Sequence, residues 1–341
     1  MRGNTTHRFA NTSVLSVSTA EPSVVVTSAD LDERLEQTYQ AVRLRAGQLE
    51  RLVGVRERRW WPDGMTFTDG AATAGAKAIS ESGIDPADIG LLVNTSVSRL
   101  HLEPSTASAV HHALGLPTSC QSFDITNACL GFVNGMGMAA AMIDSGMVDY
   151  ALVVDGEDAR PAQERTIANL TRPGVTAREV MAQFATLTLG SGAAAMVLGR
   201  TDRHPEGHRM VGAVNRAATQ HHELCVGDND GMFTDLKGLL DAGLQLSEDL
   251  WTEAAGEFDW SAGMSRYVIH QVSQVHTGAV CERLGIDPER VPRTFPARGN
   301  VGPASIPITL AAEVDDLVDG DRVLLMGIGS GLNAACLEIA W

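Results

Sequence analysis

The chain is poor in positive charge, in paired cysteines and in long hydrophobic stretches, and each shortage argues against a class of protein. Its 341 residues include 26 Lys and Arg against 42 Asp and Glu, which gives a formal net charge of −16. Because nucleic-acid phosphates are bound by clustered basic side chains, this balance argues against a nucleic-acid-binding surface. It still allows a phosphate-bearing substrate held by a few local arginines.

The cysteines do not form a disulfide framework. They share no CxxC spacing and are odd in number: Cys120, Cys129, Cys225, Cys281 and Cys336. This usage is typical of free thiols in a reducing compartment. The N-terminus shows no basic segment followed by an apolar run, so no signal peptide is predicted. The longest apolar run, residues 130–143, is too short to span a bilayer, and we expect a cytoplasmic protein with no transmembrane segment.

What the chain does contain is a doubled order of predicted elements. A length of 341 residues exceeds the roughly 150 residues of one domain. Each half carries a strand that leads to a reactive residue, a buried helix and a strand with a Gly-Ser-Gly kink, at residues 190–192 and 329–331. The pattern predicts a duplicated α/β unit, with halves at residues 1–200 and 201–341 and sheets between layers of helices.

Periodicity and turn signals locate several elements within these halves. Helical spacing predicts a long charged helix over residues 31–52 and a small-residue helix over 66–82. A buried strand is predicted over residues 89–98. Residues 157–187 are too long for a plain connection, so we expect helices that cover a site. Residues 229–257 are predicted to be helical.

The stretch from Gln121 to Met138, QSFDITNACLGFVNGMGM, carries the strongest chemical signal. A strand-like segment runs into Cys129, and small residues suited to a tightly packed helix follow. A cysteine in the first turn of a helix faces unpaired N–H groups and the positive end of the helix dipole, which stabilise a thiolate. The alternative is that Cys129 is simply a small buried apolar residue.

Three further polar residues are weaker signals when taken singly. His270 directly follows the predicted strand at residues 267–269, and a lone histidine in that position is more often structural. Asn300 lies in the segment GNVGPAS. Glu103 precedes Pro104 and a Ser/Thr-led helix, where a carboxylate can serve only to complement the helix dipole.

Taken together, the motifs DITNACLGF, IHQVSQVH, GNVGPASIP and GIGSGL resemble the Cys-His-Asn condensing enzymes of the thiolase superfamily. The likeness extends over essentially the whole chain. The first half, from VGVRERR to SGIDPADIGLLV, is similar to the 3-oxoacyl-carrier-protein synthase III branch. The resemblance implies a thiolase fold, an α/β architecture whose two halves form a five-layered αβαβα sandwich.

The resemblance also implies roles for the polar residues. Cys129 would attack an acyl thioester and release coenzyme A, leaving an acyl-cysteine. A second acyl donor would then become a carbanion, whose enolate oxygen His270 and Asn300 would stabilise. Backbone N–H groups of Cys129 and Gly331 match the family's positions for holding the tetrahedral oxyanion.

The source of the carbanion separates the branches of the superfamily. Thiolases use a second cysteine as base where this chain has Gly327, and Cys336 is more simply a packed strand residue. Glu103 stands where synthase III enzymes carry an apolar residue, and a carboxylate in an apolar tunnel can act as a general base. With NACLGF and HQVSQVH, this glutamate resembles the OleA-type enzymes of bacterial long-chain olefin biosynthesis.

That resemblance implies a head-to-head joining of two long-chain acyl-CoA molecules into a 2-alkyl-3-oxo acid, without decarboxylation. It implies a homodimer in which Glu103 is delivered to the neighbouring subunit's site, and downstream olefin-pathway enzymes as possible partners. No metal and no tightly bound cofactor are expected, only coenzyme A thioesters as substrates. Synthase III enzymes contact the coenzyme A nucleotide with an arginine, and this chain has Leu52 at that position. Arg51, Arg56 and Arg59 are the remaining candidates for that contact.

Three alternatives remain at the level of sequence. The first is a decarboxylating 3-oxoacyl synthase III that uses acyl-CoA and malonyl-carrier protein, although a negative surface disfavours docking of an acidic carrier. The second is a non-catalytic acyl-binding partner subunit, against which the intact Cys129, His270 and Asn300 argue. The third, a hydroxymethylglutaryl-CoA synthase, shares only the glutamate base.

Overall fold

The computed structural model describes residues 6–228 and 231–341. Its strands are β1 (Thr6–Arg8), β2 (Thr12–Ala20), β3 (Val24–Thr27), β4 (Glu57–Trp60), β5 (Leu91–Asn94), β6 (Gln121–Asp124), β7 (Tyr150–Glu157), β8 (Gly192–Arg200), β9 (His208–Ala217), β10 (Cys225–Gly227), β11 (Met232–Thr234), β12 (Arg266–Ile269), β13 (Arg322–Gly329) and β14 (Asn333–Ala340). Its helices are α1 (Ser28–Arg34), α2 (Glu36–Ala41), α3 (Phe67–Ser82), α4 (Thr106–Leu114), α5 (Gly131–Asp144), α6 (Arg160–Leu170), α7 (Ala177–Gln183), α8 (Leu236–Ala254), α9 (Gln274–Leu284), α10 (Phe295–Arg298) and α11 (Ser305–Ala311).

The two halves of the chain build the same order of strands. Neighbouring strands run β6-β5-β7-β8-β2 in the first half and β12-β13-β14-β9 in the second. In each half two neighbouring strands are parallel, β5 with β7 and β12 with β13, and the two strands that follow in the sheet are antiparallel to their neighbours. The first long strands, β2 and β9, pair at Ser13–Arg209 and Val14–His208 and so join the half-sheets. The predicted boundary at residue 200 falls on the last residue of β8.

Helices cover the joined sheets in three layers. On the outside, α3 packs against β2, β7 and β8, and α8 packs against β9 and β14. Between the halves lie α5, which contacts β7 and β14, and α11, which contacts β2 and β13. This arrangement is the five-layered αβαβα sandwich that the resemblance implies, and it buries α5 at the centre.

The hydrophobic core follows the same layers. One cluster of buried side chains contains Met136 and Val153 from the first half together with Val268 and Leu325 from the second. Burial of apolar surface contributes roughly 25 cal/mol per Å². Both halves contribute to this cluster, and residues of α5 belong to it. The packing that stabilises the fold therefore also holds the segment before α5 in place.

Local sequence explains the ends of α3. Thr66 accepts a hydrogen bond from the Asp69 N–H at 3.2 Å, while the Asp69 carboxylate accepts from the Thr66 N–H at 2.8 Å. This capping box satisfies two N–H groups that a helix start leaves unpaired. Gly83, at φ +69°, ends the helix in the left-handed conformation. The helix predicted over residues 66–82 is thus confirmed.

The single helix predicted over residues 31–52 is wrong. The segment forms α1, α2 and a π-turn at Leu49–Val53. Between them Arg43 and Gly47 have φ values of +58° and +79°, and the Asp32 carboxylate accepts a hydrogen bond from the Gly47 N–H at 2.8 Å. The side-chain bond stabilises a reversal of the chain that helical spacing alone did not reveal.

Two other predictions need adjustment. The buried strand predicted over residues 89–98 ends at Asn94, because residues 95–98 hydrogen-bond instead to β7 and its acidic side chains. Of the helix predicted over residues 229–257, residues 229 and 230 lie outside the described residues, and β11 precedes α8. In the 157–187 segment the predicted helices are present as α6 and α7.

Candidate active site

Cys129 lies in a tight turn directly before the central helix. The Leu130 N–H donates to the Asn127 carbonyl at 3.0 Å, and the Gly131 N–H donates to the Ala128 carbonyl at 3.2 Å. Ala128 has a φ of +45°, a left-handed conformation that costs a non-glycine residue roughly 1 kcal/mol. Because α5 begins at Gly131, Cys129 stands just outside the first turn in which it was predicted. The strained turn presents its side chain at the helix N-terminus.

Burial works against the predicted stabilisation of a Cys129 thiolate. Burial raises the pKa of the Cys129 thiol to about 12, and the nearby Cys225, Glu157 and Asp155 add to the rise. The residue is only partly covered, yet protein surrounds its sulfur closely enough to desolvate an anion. Desolvation and negative neighbours therefore oppose the effect of the helix terminus and favour the protonated thiol.

The carboxyl end of β13 closes against this turn. A side-chain carbon on Gly329 would lie 3.0 Å from the Asn127 carbonyl oxygen and 3.3 Å from the Cys129 nitrogen. The position therefore has to be glycine if the two backbones are to meet. The Asn333 amide donates to the Asn127 side chain at 3.3 Å, which links the turn at Gly331, with φ +97°, to the turn of Cys129.

His270 approaches the same strand end from the other side. Its N–H donates to the Met326 carbonyl of β13 at 2.8 Å, and the residue is 2% exposed. Burial, with a further contribution from His276, lowers the pKa of His270 to about 3, so the imidazole is neutral. Its Nδ1 has no hydrogen-bond partner among the residues that the structure describes. A neutral imidazole so placed can donate one N–H to a substrate oxygen.

Asn300 is held by its backbone to the end of a 3₁₀ turn at Phe184–Thr188 and to Gly190, two residues before β8. Its N–H donates to the Thr188 carbonyl at 2.9 Å, and its carbonyl accepts from the Gly190 N–H at 2.8 Å. Its carboxamide oxygen accepts from the Gly302 N–H at 3.0 Å. That contact fixes the orientation of the amide and leaves its NH₂ group to donate.

Glu103 lies on an exposed loop, outside the hydrophobic core. Glu103 accepts no hydrogen bond from the start of α4, because the first N–H groups of that helix are bound elsewhere. Thr106 and Ala107 donate to the Asp124 carboxylate at 3.0 and 2.8 Å, and Ser105 is the N-cap residue. Neighbouring apolar side chains are also exposed: Val97, Leu100 and Leu102.

The candidate arginines differ in how much of their charge is engaged. Arg59 pairs with Glu57 at 2.9 Å and with Glu21 at 3.3 Å, which makes it a poor phosphate ligand. Arg51 and Arg56 are exposed, and Arg51 donates to Gln48 at 2.9 Å. The neighbouring Arg58 is fully buried and donates to the Leu187 carbonyl at 3.0 Å.

Sequence reasoning missed a buried acid pair at the end of β7. Asp155 and Glu157 are both buried, and Glu157 accepts hydrogen bonds from the N–H groups of Val97 and Ser98. Burial raises the pKa of Glu157 to about 7 and also raises that of Asp155. The available signal was two carboxylates directly after the apolar run ALVV, where a buried strand ends.

An open cleft of about 780 Å³ separates α7 from the β10–β11 hairpin. Its lining includes Arg178, Gln183, Met232 and Phe233. Cys225, at the start of β10, is close enough to Cys129 to affect the pKa of its thiol. The cleft therefore runs beside the hairpin that borders the candidate nucleophile.

Within residues 6–228 and 231–341, no three His, Cys, Asp or Glu side chains gather in a group that could hold a metal ion. Likewise, no described helix is long and apolar enough to cross a membrane.

A doubled α/β sheet, with a cysteine turn at the N-terminus of its shared central helix, defines a thiolase-fold acyltransferase. The chain is 43% identical to an acyl-CoA:acyl-CoA alkyltransferase of Xanthomonas campestris, over 98% of this chain and 99% of the relative. The chain belongs to the acyl-CoA:acyl-CoA alkyltransferase family.

Further comparisons agree with this assignment. The 3-oxoacyl-[acyl-carrier-protein] synthase III family model matches residues 123–217, and its C-terminal companion matches residues 261–341. An acyl-CoA:acyl-CoA alkyltransferase of Shewanella oneidensis is 39% identical over 93% of this chain and 95% of that protein. A crystal structure of Xanthomonas campestris OleA with bound lauric acid and lauroyl-CoA superposes with a TM-score of 0.94 at 42% identity, covering 98% of this chain and 100% of that chain.

Proposed function

We propose that the chain catalyses a non-decarboxylative head-to-head Claisen condensation of two long-chain acyl-CoA molecules. Two acyl-CoA and one water give a 2-alkyl-3-oxo acid and two free coenzyme A. The observation that carries the proposal is the carboxylate of Glu103 on an exposed loop among apolar side chains. Such a group can remove a proton from an α-carbon without any loss of CO₂.

In the first half-reaction Cys129 takes up one acyl group. Its sulfur attacks the thioester carbonyl, the thiol proton passes to the departing coenzyme A sulfur, and an acyl-cysteine remains. Because the pKa of the free thiol is raised to about 12, the proton must leave as the new C–S bond forms. The N–H groups of Cys129 and Gly331 are the proposed donors to the tetrahedral oxyanion.

In the second half-reaction a carbanion forms on the second acyl-CoA. A base removes its α-proton, and the negative charge moves to the thioester oxygen. The neutral imidazole of His270, whose pKa is lowered to about 3, and the NH₂ of Asn300 can both donate to that oxygen. The carbanion attacks the acyl-cysteine, and the Cys129 sulfur leaves and takes up the proton that the base removed. Water then cleaves the product thioester to the acid and free coenzyme A.

We infer that the base is Glu103 and that it acts in the neighbouring subunit of a homodimer. Val97 is 50%, Leu100 56% and Leu102 fully exposed on the loop that carries it. Exposed apolar side chains of this size are favoured where a partner covers them. Insertion into the partner would bury the loop and bring Glu103 into an apolar site.

The cleft between α7 and the β10–β11 hairpin is the proposed path for a coenzyme A thioester. Its lining is largely apolar toward Met232 and Phe233, which suits an acyl or pantetheine chain. Arg178 lies on the same lining and can meet a phosphate. The proposal also puts the enzyme in the cytoplasm, where its free cysteines stay reduced.

The test is incubation of the purified protein with lauroyl-CoA alone, in the absence of any malonyl donor. We expect the 2-alkyl-3-oxo acid, or the ketone formed when it loses CO₂, detected by mass spectrometry. Glu103→Ala should still form the acyl-cysteine at Cys129 and should lose condensation. The exposed Glu282 provides the control, and Glu282→Ala should behave as wild type.

Two results would contradict the proposal. Product formation only after addition of malonyl-carrier protein would assign the chain to the decarboxylating alternative. Undiminished condensation of lauroyl-CoA by Glu103→Ala would remove the glutamate from the role of base.

A further inference from the structure

The loop that carries Glu103 is clamped at both ends and free between them. We call residues Val97–Pro104 the Glu103 loop. Residues 100–104 make no hydrogen bond to any part of the chain that the structure describes. The position of Glu103 therefore depends on contacts made by residues before Leu100 and after Pro104.

At its C-terminal end the loop is held by Asp124, the last residue of β6, which binds the start of α4. The Asp124 carboxylate accepts the Thr106 and Ala107 N–H groups, and it lies 3.6 Å from the Arg99 guanidinium. Arg99 also donates to the Ser98 carbonyl at 2.9 Å. This clamp ties the loop to β6.

The clamp at the start of the loop is Glu157. Its carboxylate accepts the Val97 N–H at 2.6 Å, the Ser98 N–H at 3.0 Å and the Ser98 hydroxyl at 2.5 Å. Three donors on one buried carboxylate, which is 8% exposed, form a strong and directional contact. The main chain of Glu157 is fixed in turn, since its carbonyl accepts from the Trp61 indole at 2.9 Å.

The same carboxylate lies near the turn of Asn300. A Cβ built on Gly302 would lie 3.6 Å from the Glu157 carboxyl carbon and 3.7 Å from its Oε1, and the Gly302 N–H holds the Asn300 amide. Glu157 also raises the pKa of the Cys129 thiol, so the two groups are close. The Glu157 side chain thus lies between the candidate active site of its own chain and the Glu103 loop, which would insert into the partner.

We propose that Glu157 is a positioning residue for the condensation step, which holds the Glu103 loop in the orientation needed to reach the partner subunit. The inference rests on the proposed function, because it requires Glu103 to be the base. Glu157 itself touches no reacting atom. Its effect is on where Glu103 lies.

The hydrogen bonds make this contact sensitive to pH. An ionised carboxylate accepts all three donors, whereas a protonated one presents an O–H that competes with them. Burial raises the pKa of Glu157 to about 7, and hydrogen bonds from Ser98 and Val97 oppose that rise. The charged or titratable groups around it are Asp155 on β7, Arg99 on the loop and the thiol of Cys129. The loop should therefore loosen as the pH falls below about 7.

The experiment follows both half-reactions of the full-length protein with lauroyl-CoA between pH 6 and pH 8. Acylation of Cys129 is measured by intact-protein mass, condensation by product, and the quantity compared is the ratio of condensation to acylation. For wild type this ratio should fall about tenfold from pH 8 to pH 6, as expected for one group that titrates near pH 7. In Glu157→Gln the ratio should be low and this pH step should be absent.

Ser98→Ala supplies a readout that general destabilisation does not move. Removal of the hydroxyl takes away one donor to the charged form, so the midpoint of the step should rise by about one pH unit. Ser80→Ala and Glu282→Gln, at exposed positions of α3 and α9, should keep the wild-type midpoint. Glu157→Asp should restore part of the ratio, because it keeps a charge.

The outcomes separate the inference from the function on which it rests. If wild type makes no condensed product at pH 8, the proposed function itself is wrong. If wild type condenses lauroyl-CoA and Ser98→Ala leaves the midpoint unmoved, the positioning role of Glu157 is wrong. Should Glu157→Gln fail to fold, the Ser98→Ala midpoint decides the matter alone.

Discussion

At the scale of single residues, Asn300 illustrates how one contact leaves another group free. Its carboxamide oxygen is taken by the Gly302 N–H at 3.0 Å, so only its NH₂ remains to meet a substrate oxygen. In Asn300→Asp one carboxylate oxygen can keep the contact to Gly302, while the other puts a negative charge where the enolate would form. We expect condensation to fall about 10²–10³-fold, the cost of a lost oxyanion donor.

The measurement for Asn300→Asp is steady-state product formation beside single-turnover acylation of Cys129. Acylation should change little, because the enolate forms only in the second half-reaction. Asn300→Ala is the control that removes the donor without adding charge, and it should be less impaired than the aspartate variant. Near-normal condensation by Asn300→Asp would take this residue out of the mechanism.

Arg58 is a second residue whose neighbourhood predicts a measurable effect. It is fully buried, donates to Ser28 and to the carbonyls of Val26 and Leu187, and lies near Asp32. Arg58→Met would leave those acceptors unpaired and Asp32 without its cation, at a cost of about 3 kcal/mol. Urea unfolding should show this loss. Arg56→Met, at an exposed site two residues earlier, should stay within about 0.5 kcal/mol of wild type.

At the scale of elements, the turn before α5 and the end of β13 form one unit. The Gly329 position has no room for a side chain, because the Asn127 carbonyl and the Cys129 nitrogen lie 3.0 and 3.3 Å from where its Cβ would stand. These are backbone atoms that cannot rotate away. Gly329→Ala should therefore shift the turn of Cys129 by a few tenths of an ångström and slow acylation about tenfold or more.

The burst of coenzyme A release after rapid mixing with lauroyl-CoA measures this effect. Gly137 in α5 is the matched control, since nothing lies within 4 Å of a Cβ built there. Gly137→Ala should leave the burst unchanged and stabilise the helix by roughly 0.5–1 kcal/mol. Equal bursts from Gly329→Ala and wild type would show that the strand end does not position the nucleophile.

Elements also show what sequence patterns can and cannot predict. The capping box and terminal glycine of α3 lie within the helix's own sequence, and the prediction there is confirmed. The reversal after α2 depends on an Asp32 side chain that reaches 15 residues along the chain, and helical spacing gave the wrong result. Glu157 is harder still to assign, because its partners at Val97 and Ser98 lie 60 and 59 positions away. A reactive residue at a strand end can be predicted from the local sequence. A contact that positions it joins residues far apart in the chain and therefore requires the fold.

At the scale of the whole molecule, the shared core joins parts of one chain, whereas the Glu103 loop is exposed. One apolar cluster ties the two halves of a subunit together, while the Glu103 loop exposes Leu100 and Leu102 to the outside. If Glu103 serves the partner, each site needs a cysteine from one subunit and a glutamate from the other. This division predicts that two inactive variants can complement each other.

If the proposed roles hold, Cys129→Ala is not acylated and Glu103→Ala forms no carbanion, so each alone should give no condensed product. In a mixed dimer one site combines Cys129 of the Glu103→Ala subunit with Glu103 of the Cys129→Ala subunit, and the other site lacks both. After equal mixing and random exchange, half the dimers are mixed and each has one working site of two, so activity should recover to about one quarter of wild type.

Product formation from lauroyl-CoA after co-refolding or co-expression measures the recovery. Mixing with Cys129→Ala/Glu103→Ala in place of Cys129→Ala is the control, and it should restore nothing. Persistent inactivity of a verified mixed dimer would show that each subunit uses its own glutamate, or none.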